Sequence, residues 1–259
     1  MSQAAIHITY FEQPLNDPMR ICLRLEQLFI NLEDNLEKPD PLNSQAALAG
    51  LARVMDVIDR PDLKSKLMQT LMQIHSTLSH LQPSPDVDHA LLNDMLQKVD
   101  SYITFLLHAK IGEKSRHNEF LKHLRLQFNN PGGPCSYKSP SHHLWLELPA
   151  AERIKHLKIW REEFVALEDL VNLILKITRE RAKIQQVLCE KGFYHQNLDP
   201  NSPIELIRVG IPTDAMIYPE ISAGRHRLSI RLLKPDFMET GRAAQIDENF
   251  PVELFCCKN

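Results

Sequence analysis

The chain lacks most of the signatures that announce a chemistry. It has no Gly-rich phosphate loop ending in Lys-Ser/Thr, no Gly-x-Gly-x-x-Gly, no Gly-x-Ser-x-Gly and no His-Glu-x-x-His. The common nucleotide-binding, hydrolase and zinc-peptidase readings therefore have nothing to rest on. Its five cysteines, Cys22, Cys135, Cys189, Cys256 and Cys257, are an odd number without a Cys-x-x-Cys spacing, which argues against a disulfide framework and against a zinc site. The adjacent Cys256 and Cys257 read as two strand residues behaving as small hydrophobes, a redox pair being the alternative. No apolar run approaches the roughly 20 residues of a membrane-spanning helix, and Met1 to Tyr10 shows no basic region followed by an apolar one. A cytoplasmic protein without a membrane anchor is expected. A broad positive field is also missing. Formal charge is −3 over 259 residues; from Gly192 onward seven Lys+Arg against nine Asp+Glu give −2, leaving −1 for the remainder. General DNA or RNA binding usually draws on such a field.

Between Glu220 and Asp236 the sequence has no acidic residue, and in that stretch Arg225, Arg227, Ser229 and Arg231 alternate with His226, Leu228, Ile230 and Leu232. In a strand, successive side chains face opposite sides, so the even set can lie on a core while the odd set forms a basic row. Residues two apart on one face sit roughly 7 Å from each other, close enough for several guanidinium groups to hold one extended anionic partner. A solvated face of an antiparallel sheet would leave the same pattern; the absence of neutralising acids favours binding.

The middle of the chain reads as helices. Ile21, Leu25, Leu28 and Leu32 mark a first helix over Met19 to Leu36, ended by Lys38-Pro39-Asp40-Pro41. Ser44 is expected to cap a second, running to about Ile58. Leu63, Leu67, Leu71, Ile74 and Leu78 describe a third that stops at Leu81, before Pro83-Ser84-Pro85. A fourth carries Leu91, Leu92, Met95, Val99, Ile103 and Leu106, and a fifth runs from about Glu113 to Phe128. After Pro149 the longest stripe, Leu157, Trp160, Phe164, Leu167, Val171 and Ile174, predicts a single helix fading near Cys189, with a face for core or for a dimer partner. On it Glu162, Glu163, Glu168 and Asp169 read as solvated charges.

Asn130-Pro131-Gly132-Gly133-Pro134 must turn, and Cys135 to Leu148 reads as a short β-hairpin packed through Tyr137 and Trp145. Short β-prone runs follow at Phe193-Tyr194, Ile204 to Val209, His226 to Leu233 and Val252 to Cys256, with a similar run at Ile6 to Phe11. The expected architecture is α+β: a helical bundle body over 14–130 and 149–190, and a discontinuous, mostly antiparallel β domain from 1–13, 131–148 and 191–259. Metal chemistry finds little support among the 12 histidines. His142 and His143, neighbours on the expected strand, would point apart, and His117 and His123 are six apart on a helix.

Several segments occur together in the order found in one family. They are Leu15 to Arg20, Pro131-Gly132-Gly133 with Cys135-Ser136, His143-Leu144-Trp145-Leu146 before Leu148-Pro149, Gly192-Phe193-Tyr194, Tyr218 to Ser222, the arginine run, and Glu253 to Cys257. Over nearly its whole length the chain resembles the ZapD family of bacterial cell-division proteins. The resemblance implies a non-enzymatic cytoplasmic homodimer with no cofactor, located at the mid-cell division site. It implies binding to the C-terminal tail of the tubulin-like GTPase FtsZ, which carries acidic and apolar residues, bundling of FtsZ protofilaments, and an indirect lowering of GTP turnover. On this resemblance the tail-binding residues are Arg227 and Arg231, with Arg225 at a less regular position, Arg116 and Arg125 from the helix over Glu113 to Phe128, and His143, for which structural packing is the alternative. Glu119 departs from an expected arginine, and Tyr137-Lys138-Ser139-Pro140 departs from an expected Phe-Asp-Leu-Pro. A nucleic-acid module would use the same arginines but would add aromatic residues on that strand face, where Ser229 stands. An enzyme with an unfamiliar site would instead show a pocket holding buried titratable groups.

Overall fold

A computed structural model describes residues 7–85, 87–238 and 241–258; Ile6 of the expected first strand lies outside the described residues. The chain divides into two compact units, Met1–Arg20 with Lys176–Asn259, and Ile21–Leu175, and is of the expected α+β class.

The helical unit is built from amphipathic segments that close over shared apolar stripes. Helix α1 (Asp17–Leu36) inserts Ile21, Leu25, Phe29 and Leu32 into the core. Helix α2 (Pro41–Ile58) starts one turn earlier than expected, because the Asp40 carboxylate, not Ser44, accepts from the Leu42 amide at 2.7 Å. Helices α3 (Leu63–Ser79) and α4 (His89–His108) pack as neighbours. The expected fifth helix is two, α5 (Glu113–His117) and α6 (Glu119–Phe128), separated at Asn118, whose side chain accepts from the amides of Phe120 and Leu121.

The segment expected as a hairpin is instead turns followed by a helix, α7 (Pro140–Leu146), and it belongs to the helical unit. Pro140 at the first helical position suits that start, and the three-residue spacing of His142 and Trp145 buries both on one side. Trp145 is packed against Phe120 and Trp160, whereas Tyr137 is 76% exposed. The long final helix also breaks, into α8 (Ala150–Glu162) and α9 (Val165–Glu180). At the break Glu163 is not a solvated charge: its carboxylate accepts from the amides of Lys114 and Ser115 at 2.8 and 2.9 Å and from Ser115 Oγ at 2.6 Å. It thereby supplies α5 with the N-terminal cap that Gly112, in the left-handed region at φ +72°, has no side chain to give.

The β unit is a pair of antiparallel sheets sharing one core. The first has the order β1-β4-β8-β2, from β1 (Ile8–Pro14), β4 (Ile204–Pro212), β8 (Phe250–Lys258) and β2 (Ile184–Cys189). The second has the order β3-β6-β5, from β3 (Phe193–Asn197), β6 (Arg227–Lys234) and β5 (Tyr218–Ala223), with the short β7 (Ala244–Gln245) pairing the end of β6. Cys189, Ile207, Val209, Ile211, Val252 and Leu254 from the first sheet meet Leu228, Ile230 and Leu232 from the second. The residues from 184 to 189, expected as helix, are strand β2. Gly192 (φ +70°) turns the chain from one sheet to the other, and a Cβ there would come within 2.6 Å of the Ile246 carbonyl oxygen. Burial pushes the thiols of Cys189 and Cys257 up, to about 11 and about 12, which keeps both neutral and suits packing, not redox chemistry. Among the described residues no helix is long and apolar enough to cross a membrane.

A candidate partner-binding surface on the second sheet

Strand β6 is the central strand of its sheet, so its alternation is enforced from both sides. Leu228, Ile230 and Leu232 are 0% exposed; Arg227, Ser229 and Arg231 therefore take the outward face, with both arginines exposed and Ser229 half-buried. Arg225 lies in the β5–β6 turn, not in the strand, and so does His226, which is exposed and not on the core. Among the described residues no carboxylate pairs with Arg225 or Arg227. Arg231 does have one. Glu220, directly across on β5, places its carboxylate 3.6 Å from the Arg231 guanidinium, and both side chains keep 59% of their surface in water. An exposed pair of that length is worth ~0–1 kcal/mol and is easily exchanged for another anion.

The register completes the face. Phe193, His195 and Asn197 of β3 stand opposite Arg231, Ser229 and Arg227, and Glu220 and Ser222 of β5 flank the other side. Phe193 is 40% exposed, an apolar ring presented to solvent, and it stacks on His195 at 5.9 Å between ring centres and 21° between planes. Aromatic groups do accompany the arginines, then, on the next strand of the same face. Arg225 also lines a cavity of about 470 Å³ with Leu15, Leu198, Ile204 and Glu205. The Glu205 carboxyl there is raised by burial, against the Asn16 amide that donates to it at 3.1 Å and the Arg181 charge. Burial alone accounts for the perturbation, and the bond from Asn16 ties the residue before α1 to β4.

The helical candidates belong to the other unit and are already engaged. Arg125, one quarter exposed, pairs with Asp56 and Asp59 at the end of α2, and Arg116 Nε reaches Asp59 at 2.6 Å. Burial raises the Asp59 carboxyl, but the hydrogen bonds and charges of Arg116 and Arg125 outweigh it and hold the group below its ordinary value. In the same way burial lowers Arg125, and its two aspartates more than compensate. These two arginines tie α5 and α6 to α2. Glu119 is exposed, 3.4 Å from Lys122. His143 is exposed on α7, while its neighbour His142 is buried against Phe128 and shifted down by that burial.

Phe193, His195 and Asn197 of β3 and Glu220 and Ser222 of β5 are the members of the outward face that the sequence reading missed. The signal was faint: the period-two run Phe193, His195, Asn197 is there, but only pairing register sets it beside the arginines.

The second sheet of this α+β molecule thus carries a cationic outward face with a stacked aromatic pair beside it. Residues 23–231 match the family model for ZapD, described as a cell division protein. Relatives carrying the name cell division protein ZapD include one from Coxiella burnetii, 46% identical over 98% of this chain and 99% of its own length, and one from Methylococcus capsulatus, 29% identical over 95% and 97%. A third, from Shigella flexneri, is 29% identical over 95% and 98%. The chain belongs to the ZapD family of cell division proteins, and its role lies in cell division.

Proposed function

We propose that this protein binds the acidic, apolar-containing C-terminal tail of FtsZ through the outward face of β6, and that as a dimer it cross-links FtsZ protofilaments at the mid-cell division site. The observation that carries the reading is the pair Arg227 and Arg231, exposed in a row above the buried Leu228, Ile230 and Leu232. A guanidinium held on a rigid central strand loses little further freedom on binding a carboxylate, which favours it as an anchor. Arg225 extends the row toward the turn. Arg116 and Arg125, occupied by Asp56 and Asp59, contribute to the fold of their unit more than to the contact, and His143 is exposed on that unit.

Bundling follows from valence. A two-fold dimer carries two tail sites and a filament displays many tails, so weak single contacts sum to a strong linkage. Strand β2, at one edge of its sheet, leaves Ile184 and Leu188 half exposed, apolar surface of the kind a second copy covers. Slower GTP turnover is then a consequence of subunits held in bundles, with no catalytic group supplied by this chain.

Pelleting tests the reading. The protein should carry assembled FtsZ into bundles, should fail with FtsZ lacking its last residues, and should migrate as a dimer in light scattering. Bundling of tail-less FtsZ to the same extent would refute it.

A further inference from the structure

The outward face of the second sheet is more than a row of charge. Phe193 sits directly across from Arg231 and His195 across from Ser229, with strands roughly 5 Å apart. The stacked pair therefore forms an aromatic shelf beside the arginine that ends the row. Arg227 and Arg231 are four residues apart on one strand, roughly 13 Å, and Asn197 is across from Arg227. A flat ring 40% exposed, next to a guanidinium paired only at 3.6 Å, offers apolar and electrostatic contact within one residue of each other.

We propose that Phe193 and His195 are the specificity-determining half of the tail-binding face: they receive an apolar or aromatic side chain of an extended acidic peptide. The carboxylate next to that side chain displaces Glu220 from Arg231, and a second carboxylate about four residues along meets Arg227, since an extended peptide advances at the same roughly 3.3 Å per residue as the strand beneath it. This rests on the reading of the arginine face as the tail site. It adds what pure charge does not supply, a reason for one acidic segment to be preferred over another of equal charge. Charge complementarity selects the occupant. One peptide carboxylate can take the place of the single internal one, Glu220, at Arg231, and the exposed Phe193 ring stacked on His195 gives an apolar side chain a contact that a sugar-phosphate backbone does not use.

The test is a double-mutant cycle on the full chain. A synthetic FtsZ tail peptide and a version with its apolar residues replaced by alanine are titrated against wild type, F193A, H195A, E220Q and R227E. F193A should weaken the tail peptide about tenfold, the scale of one aromatic contact with its buried area, and should leave the alanine peptide unchanged. H195A, at an exposed position, should lose several-fold and guards against misfolding of F193A. E220Q should tighten both peptides by freeing Arg231, and R227E should abolish both. If R227E abolishes binding while F193A and H195A bind the tail peptide like wild type, the aromatic shelf is overturned and the arginine face stands. If R227E binds both peptides normally, the arginine face itself fails. Binding of a thymidine dodecamer more tightly than the tail peptide, lost in F193A, would overturn the peptide assignment in favour of single-stranded nucleic acid.

Discussion

Removing Arg125 separates a structural arginine from a binding one. In Arg125→Ala the carboxylate of Asp56 loses its guanidinium partner and Asp59 keeps only Arg116, at 2.6 Å. The groups are neither free nor fully buried: 24% of the Arg125 side chain and 33% and 30% of the two aspartates remain accessible. Exposed pairs contribute ~0.2–1 kcal/mol, and breaking a buried one costs ~3–5 kcal/mol. About 2 kcal/mol is the expectation between those limits, a fall in melting temperature of roughly 4–8 °C for a chain of this size. The sign with pH is fixed. Asp59 is held below its ordinary 3.8 when folded, so its contribution is present above that value and is lost as pH falls through the lower folded value. Differential scanning calorimetry should show a full gap between variant and wild type near neutral pH, closing below about pH 3.8. Tail-peptide affinity should change less than twofold. A variant that melts with wild type yet loses the tail would refute the reasoning and return Arg125 to the interface.

Glu163→Ala removes three bonds that cap α5, so urea unfolding should show a loss of about 1–3 kcal/mol, with Glu163→Gln intermediate. Arg153 is 4% exposed and donates to Ser44 Oγ at 3.1 Å, to the Leu146 carbonyl at 3.1 Å, and to the carbonyls of Leu148 and Pro39. Arg153→Met should therefore cost about 3–5 kcal/mol, and Arg153→Lys should rescue little, because an ammonium cannot fork to all four acceptors. Tail binding should weaken steadily with added salt, as exposed guanidinium contacts are screened within about 8 Å at physiological ionic strength; undiminished affinity in molar salt would point to an apolar groove.

Where periodicity was strong and breakers were clear, the sequence was readable. The stripe Leu63, Leu67, Leu71, Ile74, Leu78 became α3, and the alternation of Arg227 to Leu232 became the inner and outer faces of β6. Errors came where one local signal had two meanings. Pro140 and the aromatics after it suited a strand corner, yet proline also starts helices, and the spacing of His142 and Trp145 decided for α7. The break between α8 and α9 carries neither glycine nor proline; it is set by Glu163 reaching the N-terminus of α5, a contact 48 positions away. The engagement of Arg116 and Arg125 was not legible, because nothing local reveals Asp56 and Asp59 at the end of α2 as their partners. Glu220 escaped for the opposite reason: it lies just outside the acid-free run, and register brings it back beside Arg231.

Titration of the FtsZ tail peptide into the doubly reversed variant Arg227→Glu, Arg231→Glu reads the cationic sheet face most directly. Binding should vanish while circular dichroism and melting temperature stay at wild-type values, since both positions are solvent-facing on β6. A folded double variant that still binds the tail with wild-type affinity would contradict the account.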